Sequence, residues 1–181
     1  MGTSSGSLSA AVIASQLGWV CVVAHGPRLV ATSLPLPTKK AAMASCGISA
    51  DAVRPGALVE AVCDDLRRYF SGEAVDLARH PVDVSRHPPF RQRSLHATRQ
   101  IPYGEVRTYG WVAAQAGSAR GARAAGQAMG HNTMPLVIPC HRVVAAGGRL
   151  GGFGGALGLK RALLRLEGIR WLRSASSGGE G

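Results

Sequence analysis

The alternation of apolar and polar positions sets out the elements before any single residue is interpreted. Gly18 to Ala24 (GWVCVVA) is a Val-rich apolar run, and Leu29 to Leu34 is a second one. His25-Gly26-Pro27 separates them, which predicts two strands joined by a Gly-Pro turn. Residues 8–24 are fairly apolar throughout, but Gln16 and Gly18 interrupt the run and no basic segment precedes it. Neither a targeting segment nor a membrane span is predicted. Residues 35–53 mix Pro, Lys and small side chains, with one short helix predicted near Lys39–Ser45. Leu58/Val59, Val62/Cys63, Leu66 and Tyr69/Phe70 then recur at helical spacing. This predicts a helix with Pro55 in its first turn, Asp64, Asp65, Arg67 and Arg68 facing outward, and Gly72 at its end. Residues 80–89 hold three prolines and read as a strand edge followed by a linker.

The second half reads as mostly helical. A helix is predicted from Phe90 to about Arg99, broken by Ile101-Pro102-Tyr103-Gly104. Two short helices follow, Tyr109–Ala116 and Ala119–Met129, separated by Gly117-Ser118. Helix, short Gly-containing turn, helix is the helix-turn-helix pattern. Projected at about 100° per residue, Arg120, Arg123 and Gln127 fall on one face of the second helix, with Ala122, Ala125 and Met129 opposite. That helix carries no acid, and its other residues are mostly Ala and Gly, so its backbone can approach a partner closely. Val143–Leu150 is predicted to be a hairpin around Gly147-Gly148, and Leu157–Glu167 a closing helix ended by Gly168. Residues 1–7 are expected to fray, and 174–181 to form a disordered tail.

Charge sharpens this division. The chain of 181 residues carries a formal net charge of +11. Residues 1–86 hold 8 Lys and Arg against 7 Asp and Glu, whereas residues 87–173 hold 13 against 2. A basic half joined to a nearly neutral one predicts a polyanion-binding unit on a scaffold. The expected organisation is therefore an N-terminal domain over 8–86, including the linker, and a C-terminal domain over 87–173. Cys21, Cys46, Cys63 and Cys140 form neither a disulfide framework nor a CxxC pair, which points to a reduced, intracellular (cytoplasmic) protein. Cys21-x3-His25, Cys46 and His80 lack the paired spacing of a zinc site, so no metal and no cofactor is expected.

The candidate chemistry centres on Ile138-Pro139-Cys140-His141-Arg142-Val143-Val144. A reactive thiol needs a base or positive surroundings. His141 is adjacent, but neighbours in an extended segment point to opposite sides, so the proton would pass through a bridging water, or His141 would meet a distant carboxylate. The second half has only Glu105 and Glu167. Glu167 closes a helix at the end where the macrodipole disfavours negative charge. A Glu167–His141–water–Cys140 relay is one reading of that placement; a solvated glutamate is the other. A cysteine protease or acyltransferase would pair Cys140 with a histidine far away in sequence, and the other histidines have no recognisable context.

IPCHRVV (138–144), IPYGEVRTY (101–109), ARAAGQAM (122–129) and Asn132 together resemble the O6-alkylguanine-DNA alkyltransferases, over about Phe90 to Glu167. Leu66, Tyr69–Gly72 and Pro81–Asp83 are also similar to that family's N-terminal half. The resemblance implies an α+β fold: an N-terminal RNase H-like α/β domain, then a winged-helix-like, mostly helical domain with the helix-turn-helix and Cys140. It implies a monomer acting without a cofactor on double-stranded DNA, entered from the minor groove. Cys140 would take the alkyl group from O6-alkylguanine, and from O4-alkylthymine, of a flipped nucleotide. His141 and Glu167 would activate the thiol, and Tyr109 would donate a proton toward guanine N3. Arg123 would hold the gap in the duplex, with Arg120, Gln127 and Asn132 in the DNA-binding set, Asn132 also bracing the turn before the active-site segment. Met129, Pro135, Val143, Phe153, Gly154 and Gly155 would line the pocket. The sequence departs from the family's usual pattern at Thr133, Gly154, Trp111-Val112-Ala113 and Ser94-Leu95. The presence of Cys140 argues against a non-catalytic lesion-binding relative. The absence of a sensor or dimerisation segment argues against a helix-turn-helix regulator.

Overall fold

The computed structural model describes residues 6–170; the expected tail at 174–181 and the first five residues lie outside the described range. The chain opens with a three-stranded antiparallel sheet in the order β1 (Leu8–Ser15), β2 (Gly18–His25), β3 (Arg28–Thr32). The two strands expected from the pattern are β2 and β3, with Gly26 at φ 56° in their turn. β1 is an addition to that expectation, because its residues merge in the sequence with the apolar run that continues to Ala24. It pairs with β2 from Leu8↔His25 to Ser15↔Gly18. β2 is apolar at successive positions because both its faces are covered. Val20, Val22 and Ala24 belong to the main core, whereas Cys21 and Val23 face the other way, into a small cluster with Ala10 and Ala42.

Helix α1 (Lys39–Ser45) supplies Ala42 to that outer cluster, and Thr38 caps it by accepting from Ala41 N–H at 3.1 Å. Helix α2 (Ala57–Phe70) lies on the inner side and buries Val59, Val62, Cys63, Leu66, Tyr69 and Phe70, the predicted stripe. Two details differ. Gly56 is its N-cap, so Pro55 precedes the helix, and Asp65 is buried instead of outward-facing. Asp65 can be buried because Arg79 and His80, at 2.6 and 2.7 Å, satisfy its carboxylate. The segment after α2 reaches the sheet edge, where Leu29 pairs with Val82.

Helix α3 (Pro89–Arg99) leads to a two-residue strand, β4 (Arg107–Thr108), and then to α4 (Tyr109–Gln115) and α5 (Ala122–Gly130). The helix-turn-helix pair is present, but its turn is longer than expected. α5 begins at Ala122, so Arg120 sits in the preceding turn and not on the helix face. Ala122 is exposed as well, and Ala125, Ala128 and Met129 form the buried side. The expected hairpin at Val143–Leu150 is not formed. β5 (Val143–Val144) pairs in parallel with β4, and the backbone hydrogen bond Ala145 N–H→Arg149 O at 2.8 Å spans the Gly147-Gly148 turn. Helix α6 (Leu157–Leu166) closes the described chain, with Gly168 at φ 83° after it. One buried cluster runs from Ile13 through Leu66 and Leu95 to Leu163, so both halves share a core in this α+β architecture. Among the described residues no helix is long and apolar enough to cross a membrane.

Candidate active site around Cys140

Cys140 opens a short 3-10 turn, Cys140–Arg142, and not the extended segment the apolar flanks implied. The backbone leading into it is tightly held. Leu136, fully buried, has φ 75°, a conformation that costs a non-glycine residue about 1–3 kcal/mol. Asn132 spans this loop, accepting from Met134 N–H at 3.0 Å and donating to Ile138 O at 2.8 Å. Thr32 ties the same loop to the N-terminal sheet, its hydroxyl donating to Pro135 O at 2.5 Å.

In such a turn successive side chains diverge, so Cys140 and His141 face different surroundings. The Cys140 thiol faces a cavity of about 530 Å³ shared with Tyr109, Met129, Asn132, Pro135, Phe153 and Gly154, with Arg123 and Gln127 at the α5 side. That volume suits a ligand the size of a heterocycle with attached groups. Burial pushes the thiol above its ordinary range, opposed by a hydrogen bond with Asn132 and by the charge of Lys160.

His141 points the other way, into the protein. Its Nε2 lies 2.7 Å from Glu167 Oε1, and both side chains are buried. Glu167 is no solvated helix end. Its carboxylate also accepts from Arg142 Nε at 2.9 Å, Arg142 Nη2 at 3.1 Å, Tyr69 O–H at 2.8 Å and Gly104 N–H at 3.2 Å. Burial alone would raise its pKa, but His141 and Arg142 outweigh burial and bring it down to about 2. A carboxylate only accepts, so Nε2 of a neutral His141 carries the proton it donates. Desolvation holds the imidazole below its ordinary pKa, which keeps it neutral. Its Nδ1 is then a bare acceptor, and it is buried without a hydrogen-bond partner among the described residues.

Of the sequence-derived residues, Cys140, Tyr109, Arg123, Gln127, Met129, Asn132, Pro135, Phe153 and Gly154 converge on the cavity. Val143 and Gly155 do not line it. Val143 is fully buried, and its carbonyl accepts from Lys160 Nζ at 2.6 Å. Arg120 is exposed in the turn before α5. Sequence reasoning missed Lys160, Arg142, Tyr69 and Leu34. Lys160 was detectable, because Lys160, Leu163, Leu164 and Glu167 fall at helical spacing on one face of α6, putting a cation on an apolar stripe. It also donates to Leu150 O at 2.6 Å and stands 5.7 Å from the Tyr109 ring centroid. Tyr69 gave no such signal; it occupies an ordinary core position of α2.

Tyr109, first residue of α4, donates its hydroxyl hydrogen bond to Gly152 O at 3.0 Å. Gly151 makes that position possible. It sits at φ 71°, and a Cβ there would lie 2.7 Å from the Tyr109 ring. Gly155, at φ 84°, has open space where a Cβ would stand. Gly151→Ala is therefore expected to lose more stability than Gly155→Ala, by about 1–3 kcal/mol. Both carry the cost of positive φ, but only the first also displaces Tyr109. Urea unfolding of the two variants checks this, and equal losses would mean the ring moves freely.

Fold and site together define an α+β protein with a single cysteine thiol facing an apolar cavity beside a helix-turn-helix. Residues 89–169 match the family model described as 6-O-methylguanine DNA methyltransferase, DNA binding domain. The chain is 48% identical over 114 residues to a methylated-DNA–protein-cysteine methyltransferase of Mycobacterium tuberculosis, covering 62% of this chain and 67% of that relative. Its structure is similar to the crystal structure of M. tuberculosis OGT in complex with DNA, at TM-score 0.70 and 35% identity, covering 88% of this chain and 93% of that one. A Methanococcus jannaschii O6-methylguanine DNA methyltransferase is similar at TM-score 0.64 and 26% identity, over 90% and 96% of the two chains. The chain belongs to the methylated-DNA–protein-cysteine methyltransferase family.

Proposed function

We propose that this protein repairs alkylated DNA by direct reversal, moving the alkyl group from O6 of guanine, and by the same route from O4 of thymine, to Cys140. The observation that carries the assignment to Cys140 is its thiol on the wall of the cavity with the ionised Glu167 and neutral His141 behind it. A thiol raised by burial needs a base, and the bare Nδ1 of His141 supplies one through a single bridging water. Sulfur attacks the alkyl carbon as the bond from that carbon to O6 breaks, and the electron pair collapses into the purine. Tyr109 gives its proton to N3 as charge develops there. His141 then releases the thiol's proton to solvent and Tyr109 takes one back from it, so net one proton passes from thiol to guanine, and the protein is left as a thioether with no easy reversal. It is consumed in a single turnover.

Base flipping from the minor groove supplies the substrate to a cavity that a stacked base could not enter. Residues 122–130 suit that groove, being mostly Ala and Gly, with Arg123 and Gln127 exposed beside the cavity mouth. The three-stranded sheet with its helices is read as the RNase H-like domain over 8–86, and 87–173 as the winged-helix-like DNA-binding domain. With Gly154 where a serine can contact the substrate oxygen, backbone N–H groups take that task.

Incubation with a duplex oligonucleotide bearing O6-methylguanine should add one methyl to the intact protein, on Cys140. An unchanged mass would reject the reading. Arg123→Ala should slow repair of the duplex by about tenfold while sparing reaction with free O6-methylguanine, because the side chain acts on the duplex and not on the transferred carbon. Equal losses on both substrates would remove its role as a wedge.

A further inference from the structure

A second pair of thiols lies outside this chemistry. Cys21, in the middle of β2, is fully buried on the outer face of the sheet, and Cys46, the C-cap of α1, packs against the same small cluster. Cys46 Sγ lies against Cys21, its thiol reaching the Cys21 carbonyl oxygen at 4.0 Å, and both side chains belong to one small apolar cluster. Cys21 is fixed in place: its N–H donates to Ser33 Oγ at 2.8 Å, and its carbonyl accepts from Ser33 N–H at 2.9 Å. Cys46 is half-buried and borders a second cleft of about 640 Å³, whose wall also carries His87, Arg91 and His131. One member of the pair is therefore anchored and dry, and the other is reachable from a cleft with basic side chains.

We propose that Cys46 and Cys21 form a dithiol–disulfide pair that a hydroperoxide oxidises in preference to Cys140. The Cys46 thiolate attacks the terminal oxygen of the hydroperoxide, the O–O bond breaks, and the remainder leaves as an alcohol or water, giving a sulfenic acid. The Cys21 sulfur then attacks Cys46 sulfur and expels the hydroxyl as water, closing the S–S bond. Two thiols and one hydroperoxide thus give one disulfide, one water and one alcohol or second water.

The order of reaction follows from exposure and thiolate character. Cys46 is half-buried on the cleft wall while Cys21, Cys63 and Cys140 are buried, and its interaction with the Cys21 side chain favours its thiolate, although burial opposes it. The same interaction, together with burial, pushes Cys21 up. Burial raises Cys63 to about 11 and also raises Cys140. Cys46 is the first thiol to react, and Cys21 is the partner in reach. The second cleft shares Leu34, Asn132 and Pro135 with the Cys140 cavity, so the cross-link forms beside the repair site without consuming its thiol.

The test uses the whole reduced protein with equimolar hydrogen peroxide, followed by blocking of residual thiols in denaturant and mass mapping. The expected product has lost two hydrogens, links Cys21 to Cys46, and leaves Cys63 and Cys140 blocked by the alkylating reagent. Cys46→Ser should slow peroxide-driven thiol loss by about tenfold. Cys21→Ser should leave Cys46 carrying added oxygen with no link. Cys140→Ala should still form the link, which separates this proposal from the assignment of Cys140 as alkyl acceptor. Oxidation of Cys140 or Cys63 first, or oxygen on Cys46 with Cys21 still free in the wild type, would overturn it.

Discussion

Replacing Glu167 with alanine is expected to lower the unfolding free energy by about 3–5 kcal/mol at neutral pH, the range for removing one partner of a buried ion pair. The carboxylate is fully enclosed and takes hydrogen bonds from His141, Arg142, Tyr69 and Gly104. Its loss strands a guanidinium with little solvent to replace it. The effect should depend on pH with a definite sign. Glu167 has a folded pKa of about 2, below its unfolded value of about 4.3. Its contribution is complete above the unfolded value and is lost as pH falls toward 2. Burial also depresses His141, so that group removes stability in the same direction as pH falls below its unfolded value of about 6.5. Glu167 favours the protonated imidazole, so His141 is depressed further in Glu167→Ala. Urea unfolding of the two proteins should show the difference first widening as the wild-type imidazole takes up its proton below about pH 6.5, then shrinking below the unfolded carboxylate value of about 4.3. Single-turnover methyl transfer by folded Glu167→Ala should drop by about 10²–10⁴-fold, the usual worth of a positioned base. A variant that keeps both wild-type stability and wild-type transfer rate would remove Glu167 from the relay.

The same residue shows how far the sequence could be read. Its placement against the helix dipole marked it as anomalous, and the structure gives the reason: Arg142 and Tyr69 make a burial site that no spacing rule displays. Arg142 stands inside the motif yet gives no sign of its role, because a charged residue beside a nucleophile reads as surface. Its Nη1 in fact donates to Ile101 O at 2.7 Å, inside the protein. Tyr69 comes from the other half of the chain, and only tertiary packing brings α2 against Glu167. Periodicity was sufficient for α2, whose apolar stripe is buried as the pattern required, and the spans expected for α1, α3 and α6 match the helices to within a residue. It failed where pairing is non-local. β5 found β4 across 36 positions instead of its own neighbour past Gly147-Gly148, and a two-residue strand carries no period to read. Ala122 and Arg120 were misplaced because a run of Ala and Gly does not mark where α5 begins.

Lys160 carries the second large effect. Its ammonium is fully buried and donates to Val143 O and Leu150 O at 2.6 Å each, and to Gly152 O at 3.4 Å. These carbonyls belong to the segment after Cys140 and to the loop that holds Tyr109, so one side chain pins both walls of the cavity from behind. Lys160→Met keeps the length and the apolar stem but leaves these acceptors without a donor, at about 1–3 kcal/mol for each buried one. A loss of about 3 kcal/mol or more is expected at pH 7, with Tyr109 and Phe153 less ordered as the loop is released. The lysine also has its own pH signature. Burial lowers its pKa to about 8, while the charge of Cys140 works the other way. The unfolded value is about 10.4. Below pH 8 both states are charged and the folded state bears the full desolvation penalty; as pH rises toward 10.4 that penalty is relieved. Buried thiols such as Cys63, raised to about 11, titrate with the opposite sign over part of this range, so wild type alone cannot isolate the lysine. The difference between Cys140→Ala and Cys140→Ala/Lys160→Met does, because it leaves out the thiol coupled to the lysine and the remaining thiols are common to both. The relief of the penalty should therefore appear in that difference as a change between pH 8 and 10. A difference that stays flat across that interval, in a variant that folds, would mean that the lysine is not buried in its charged form.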